Sequence, residues 1–167
     1  QRQMCIRDSL EQLDVSSFDT SKVTDISQMF YLCYNMKTID VSDFDTSKVT
    51  NMNEMFCECE NLEQLDLSNF DTSKVTDMGS MFYYCSSLEQ VDLSNFNMSK
   101  VTNMSHMFWK CKRLTSSITL SGIVERYDGC FGYCSTEPKS RLEVKYNKNC
   151  SKEFAQKIVD TKSADSN

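Results

Sequence analysis

The residues that could do chemistry fall into three groups. Nine cysteines in 167 residues suggest disulfides, metal ligands or reactive thiols, and Cys130 and Cys134 sit close enough to suggest half of a metal knuckle. Four aspartates, Asp14, Asp40, Asp66 and Asp92, recur at one interval, with Gln12, Gln64 and Gln90 two positions before three of them and Thr38 before the fourth. Carboxylates in such a file could receive a basic partner or a hard cation. Tyr31, Tyr83, Tyr84 and Trp109 could anchor a partner by their rings. The single histidine, His106, has Gln28, Glu54 and Ser80 as counterparts, so no Ser-His-Asp or Cys-His arrangement can be assembled. Four glycines leave no glycine-rich phosphate loop. The expectation is a chain with no catalytic residues, no metal site and no cofactor.

The interval behind these groups is 26 residues. Rows written from Leu10, Met36, Leu62 and Leu88 align without gaps to Arg113, each close to LxxLDLSxFDTSKVTxMxxMFxxCxx. Such a period marks a stacked array in which each unit covers the apolar edge of the next. The register absorbs most of the cysteine chemistry. Cys33, Cys59, Cys85, Cys111 and Cys134 hold one place in successive units, and Cys130 holds the place of a methionine. Buried free cysteine behaves as a small apolar side chain. Cys5, Cys57 and Cys150 share no site.

Each row carries two further periods. Leu65 and Leu67 alternate with Gln64, Asp66 and Ser68, the pattern of a half-buried strand. Ile26, Met29, Phe30 and Cys33 fall at i, i+3, i+4 and i+7, the stripe of a short helix, and Thr24, Thr50, Thr76 and Thr102 stand where its N-caps belong. Between them Phe18, Phe44, Phe70 and Phe96 would turn inward with Val23, Val49, Val75 and Val101. Asp19, Asp45 and Asp71 precede Lys22, Lys48, Lys74 and Lys100 in these corners, a structural charge ladder whose set Asn97 breaks.

The predicted fold is therefore α/β, a solenoid with a parallel sheet on one face and short helices on the other. Its parts are a leader, 1–9, four repeats, 10–113, a degenerate fifth repeat, 114–137, a strand–helix cap, 138–162, and a tail, 163–167. In the fifth repeat Ile118 and Leu120 take the strand places and Tyr127, Cys130, Phe131 and Cys134 the helix stripe. Leu142–Tyr146 reads as the last strand, and Ser151 could cap a helix with Phe154, Ala155, Ile158 and Val159 on one face. The leader does not match the repeat. It resembles translated sequencing-adaptor sequence and reads as non-native, on an array cut at that end. An uncapped first row would leave a strand edge open.

Net charge is −6 with a pI near 4.8, which argues against a nucleic-acid partner, because binding phosphate needs a basic face. No apolar run approaches the ~20 residues of a membrane span, and no signal peptide is visible.

Leu65 to Ser68, Phe70 to Thr76 and Met81-Phe-x-x-Cys85 closely resemble the BspA-type leucine-rich repeats, also described as the lipoprotein-associated DUF285 repeat. The resemblance covers residues 10–134, and 142–162 looks like the usual ending of such arrays. It implies a non-enzymatic protein-binding module at a cell surface or in a secreted protein, adhering to host proteins or other cells. The open sheet face, with the aspartate file and Gln12, Gln64 and Gln90, would be the binding surface, and Tyr31, Tyr83 and Trp109 a second one. The aspartates could equally be structural, bonding Ser16, Ser42, Ser68 and Ser94. A structural spacer and an intracellular interaction scaffold are the alternatives in function.

Overall fold

The structure is a computed structural model that describes residues 11–120, 124–146 and 152–160. The leader, Cys5, Cys150, Ser151, the side chains of Leu120 and Phe154, and the tail lie outside the described residues. Strands β1 (Gln64–Leu65) and β2 (Gln90–Val91) pair in parallel, Gln64 opposite Gln90. Strands β3 (Ser116–Leu120) and β4 (Leu142–Tyr146) form a second parallel pair, Ser116 opposite Leu142. One helix, α1 (Lys152–Asp160), follows, with Ala155 and Ile158 buried.

The 26-residue rows of the sequence become hydrogen-bonded neighbours. Along the strand side, Lys37 N–H donates to Glu11 O, Glu63 to Lys37, Glu89 to Glu63 and Thr115 to Glu89, at 2.8–3.2 Å. A second ladder joins Asp25 to Asn51, Asn51 to Asp77, Asp77 to Asn103 and Asn103 to Arg126. The Thr24 column is a third: Thr50 N–H donates to Thr24 O, Thr76 to Thr50 and Thr102 to Thr76. Their hydroxyls donate to the same carbonyls at 3.2 Å. These threonines therefore link rows and cap no helix.

The stripe expected on a helix is not helical. In 26–33 alternate N–H groups leave the row: Ile26, Gln28, Phe30 and Leu32 donate to Asn51, Asn53, Met55 and Cys57 of the next. Those between close turns within the row, Met29 on Ile26, Tyr31 on Gln28 and Cys33 on Phe30. Gln28 and Leu32 have φ of 58° and 62°, and their counterparts Glu54, Glu58, Ser80, Tyr84, His106 and Lys110 lie between 53° and 60°. A left-handed residue every fourth position cannot belong to an α-helix. It folds the chain into consecutive turns that still bring Ile26, Phe30 and Cys33 to the interior. Two four-residue turns thus produce the same i, i+3, i+4, i+7 stripe as a helix.

The core runs along the stacking direction. Phe30, Phe56, Phe82, Phe108 and Phe131 form one column with centroids 5.3–5.8 Å apart and rings within 17° of parallel. Methionines and leucines of the rows fill the space beside it. Burying each such side chain contributes about 1.5–3 kcal/mol. Phe44, Phe70 and Phe96 are buried at the corners, whereas Phe18, in the first described row, is 46% exposed.

The corner threonine is buried too. Thr46 Oγ1 accepts the Asp71 N–H at 2.8 Å and donates to Asp71 O at 3.2 Å. Thr72 repeats both bonds with Asn97, and Thr20 Oγ1 accepts the Asp45 N–H. A part-buried N–H and C=O are thereby satisfied by the row before. Asn69 and Asn95 do similar work outside: each Nδ2 reaches three carbonyls of the preceding row, at 2.9–3.2 Å.

Candidate functional site

The strand side carries the exposed polar file. Asp14, Asp40, Asp66 and Asp92 are exposed, and each Oδ1 accepts the N–H of the serine two residues on, at 2.8–3.0 Å. These serine bonds hold all four carboxyls below the ordinary value of 3.8. The preceding aspartate opposes the shift at Asp66 and Asp92, because like charges on adjacent strands repel. The file is thus tied to its own serines and still presents carboxylate to water.

Two concavities mark this face. One, of about 420 Å³, is lined by Thr38, Gln64, Leu65, Asp66, Gln90 and Asp92. The other, of about 530 Å³, is lined by Glu89, Gln90, Arg113, Thr115 and Glu137–Ser140. Gln90 lines both. The first is acidic and amide-rich. The second mixes charge: Arg113 pairs with Glu89, while Lys139 stands opposite in the Glu137–Ser140 loop. Of the residues the sequence nominated, Asp66, Asp92, Gln64 and Gln90 come together, whereas Asp14, Asp40 and Gln12 line neither concavity. The wall formed by Arg113, Thr115 and the loop was missed. The failure of the row pattern after Arg113 was the available signal.

The aromatic nominees lie elsewhere. Tyr83 meets Tyr84 and His106, His106 meets Trp109, and Trp109 meets Tyr133, with centroids 5.2–6.4 Å apart. Lys110 Nζ stands 4.6 Å over the Tyr84 ring. Tyr31, Tyr83 and Trp109 are half-buried, and none lines either concavity. Cys57, in the place that Tyr83 and Trp109 hold in later rows, is only 5% exposed. Gly129 permits the cluster: its φ is 57°, and a Cβ there would stand 2.8 Å from Trp109 and His106.

A further ladder was not anticipated. Asp25, Asn51, Asp77 and Asn103 alternate acid and amide along the stack. Asn51 Nδ2 donates to Asp25 at 3.0 Å, and Asn103 Nδ2 reaches both oxygens of Asp77 at 3.0 Å. Alternation replaces repulsion between stacked carboxylates with hydrogen bonds. Gly79 makes room for it, since a Cβ there would stand 2.6 Å from the Asn103 amide.

The thiols face inward. Cys59, Cys85 and Cys111 donate to the carbonyls of Phe30, Phe56 and Phe82 at 2.9–3.1 Å. Cys33, Cys57, Cys59, Cys85, Cys111, Cys130 and Cys134 are all buried. Burial, with Glu54 and Glu58 nearby, pushes Cys57 up to about 12, and burial also raises Cys85, Cys111 and Cys130. A thiol held protonated is a poor nucleophile and a poor metal ligand. Among the described residues, His, Cys, Asp and Glu form no cluster of three able to hold a metal ion, and no helix is long and apolar enough to cross a membrane.

No match is found among curated proteins or among solved structures. One family pattern matches, described as "Mycoplasma protein of unknown function, DUF285", over residues 3–122. That span takes in all four regular rows and the acidic concavity, and on it the chain belongs to the DUF285 family.

Proposed function

We propose that the chain is a stretch of BspA-type leucine-rich-repeat solenoid, carried at a cell surface or secreted, that binds protein partners without catalysis. The open face of the row strands is the contact surface. The observation that carries this reading is the pair of concavities that share Gln90, one lined by Asp66 and Asp92 and the other by Arg113 and Lys139. A long, shallow, polar face suits an extended protein surface better than a small molecule, which needs an enclosed apolar pocket. Charge in this face favours partners with a basic surface. Adhesion to host proteins or other cells is the role the BspA-type resemblance supports.

The test is binding of the purified chain to immobilised matrix proteins, compared with Asp66→Asn/Asp92→Asn and Gln90→Ala variants. Weaker binding with unchanged thermal unfolding, and weakening with added salt, supports the reading. Undiminished binding by both variants overturns it. A structural spacer is the second reading, favoured by the serine bond that already occupies one oxygen of every aspartate in the file. On that reading the Asn variants lower thermal stability and change no binding.

A further inference from the structure

The corner of the fourth row departs from the other three. Asp19, Asp45 and Asp71 become Asn97, and the buried threonine after them becomes Met98, while the serine is kept as Ser99. The result is Asn97-Met98-Ser99, an Asn-x-Ser triplet with x other than proline, the acceptor signal for N-linked glycan. A second such triplet, Asn103-Met104-Ser105, lies six positions on, and a third, Asn149-Cys150-Ser151, lies outside the described residues.

The structure separates the first two. Asn97 is exposed. Its Oδ1 accepts the Ser99 N–H at 3.0 Å, which leaves Nδ2 with no partner among the described residues. Met98 is 1% exposed, so the triplet is anchored by its middle residue and displays its two ends. Asn103 is only 6% exposed, and Ser105 only 9%. Asn103 Nδ2 is held on both oxygens of Asp77. A Cβ on Gly79 would already stand 2.6 Å from that amide, so the space beside it cannot take a sugar.

We propose that Asn97 is an acceptor of N-linked oligosaccharide and that Asn103 is not. The donor is an oligosaccharide carried on a polyprenyl diphosphate. Asn97 Nδ2 forms a bond to the sugar C1, the bond from C1 to the diphosphate oxygen breaks, the lipid diphosphate leaves, and the amide loses one proton. No oxidant or reductant takes part. A glycan here stands on the corner of the fourth row, at a position lining neither concavity of the strand face.

The test is expression of the whole chain behind a secretion leader in a eukaryotic cell, followed by peptide mapping before and after peptide-N-glycosidase treatment. Mapping reads Asn97, Asn103 and Asn149 separately. The expected result is a glycan on Asn97, none on Asn103, and loss of the Asn97 glycan in Asn97→Asp. That variant restores the residue of the other three corners and keeps the acceptor oxygen for Ser99, so it preserves the turn. Secreted, folded protein with Asn97 unoccupied overturns the proposal, as does a glycan on Asn103.

Discussion

At the scale of single residues, the repeated side chains chiefly satisfy backbone. Thr46 shows the size of the effect. Thr46→Val keeps the shape but strips the partner from a part-buried N–H and C=O of Asp71, at a cost of about 1 kcal/mol. Urea unfolding should show that loss, and none would mean the hydroxyl ladder is idle. The signal for it was in plain view: Thr20, Thr46 and Thr72 recur in an otherwise polar corner, and Met98 replaces them in the fourth row. The aspartates set a pH dependence. Asp14, Asp19, Asp25, Asp40, Asp45, Asp66, Asp71 and Asp92 all lie below the ordinary 3.8, chiefly through serine bonds. A carboxyl depressed on folding stabilises the fold above its unfolded pKa and ceases to as pH falls through its folded one. The thermal midpoint should therefore change little from about pH 7 to 5 and drop below about pH 4. A midpoint that rises on acidification to about pH 3 contradicts this assignment.

At the scale of elements, the turn segments carry the least expected physics. Eight non-glycine residues in the four regular rows hold left-handed backbone, each costing about 1–2 kcal/mol. Hydrogen bonds to the next row and the phenylalanine column offset that cost. Gly129, at 57°, stands in the same column as Gln28, Glu54, Ser80 and His106, and shows what relief looks like. Ser80→Gly should stabilise by about 1 kcal/mol. Gly129→Ala should destabilise by at least about 1–2 kcal/mol, because its Cβ would also press on Trp109 at 2.8 Å. Calorimetry on the two variants checks both signs, and a common direction would refute the argument.

At the scale of the whole molecule, the rows behave as interchangeable layers joined by ladders at a fixed interval. Removing residues 62–87, one complete row, brings Leu88 after Asn61 and restores the register. The shortened chain should fold cooperatively with lower stability, since nearest-neighbour interfaces dominate such stacks. Removing half a row, 62–74, should abolish folding, because polar corner residues would then meet the core column. Circular dichroism with thermal unfolding separates the cases, and equal behaviour of the two deletions would contradict layering. The two concavities also belong to this scale, since Gln64, Gln90 and Glu137–Ser140 meet only once successive units are stacked.

The sequence by itself determined the interval, the inward columns of phenylalanine, methionine and cysteine, and the outward file of aspartates. Side-chain type repeated at one spacing is enough to say which residues become neighbours. It also determined the last strand, where alternation over Leu142–Tyr146 is uninterrupted. It misread the segment 26–33, because two four-residue turns and a helix share one apolar stripe, and only backbone angles tell them apart. The tertiary structure alone decided which nominated residues meet. Gln90 lines one concavity with Asp66 and another with residues from beyond the regular rows, while Trp109 is drawn into a separate cluster by a glycine one layer away. Both outcomes depend on contacts between layers where the repeat is imperfect, and there a repeated spacing no longer specifies the neighbour.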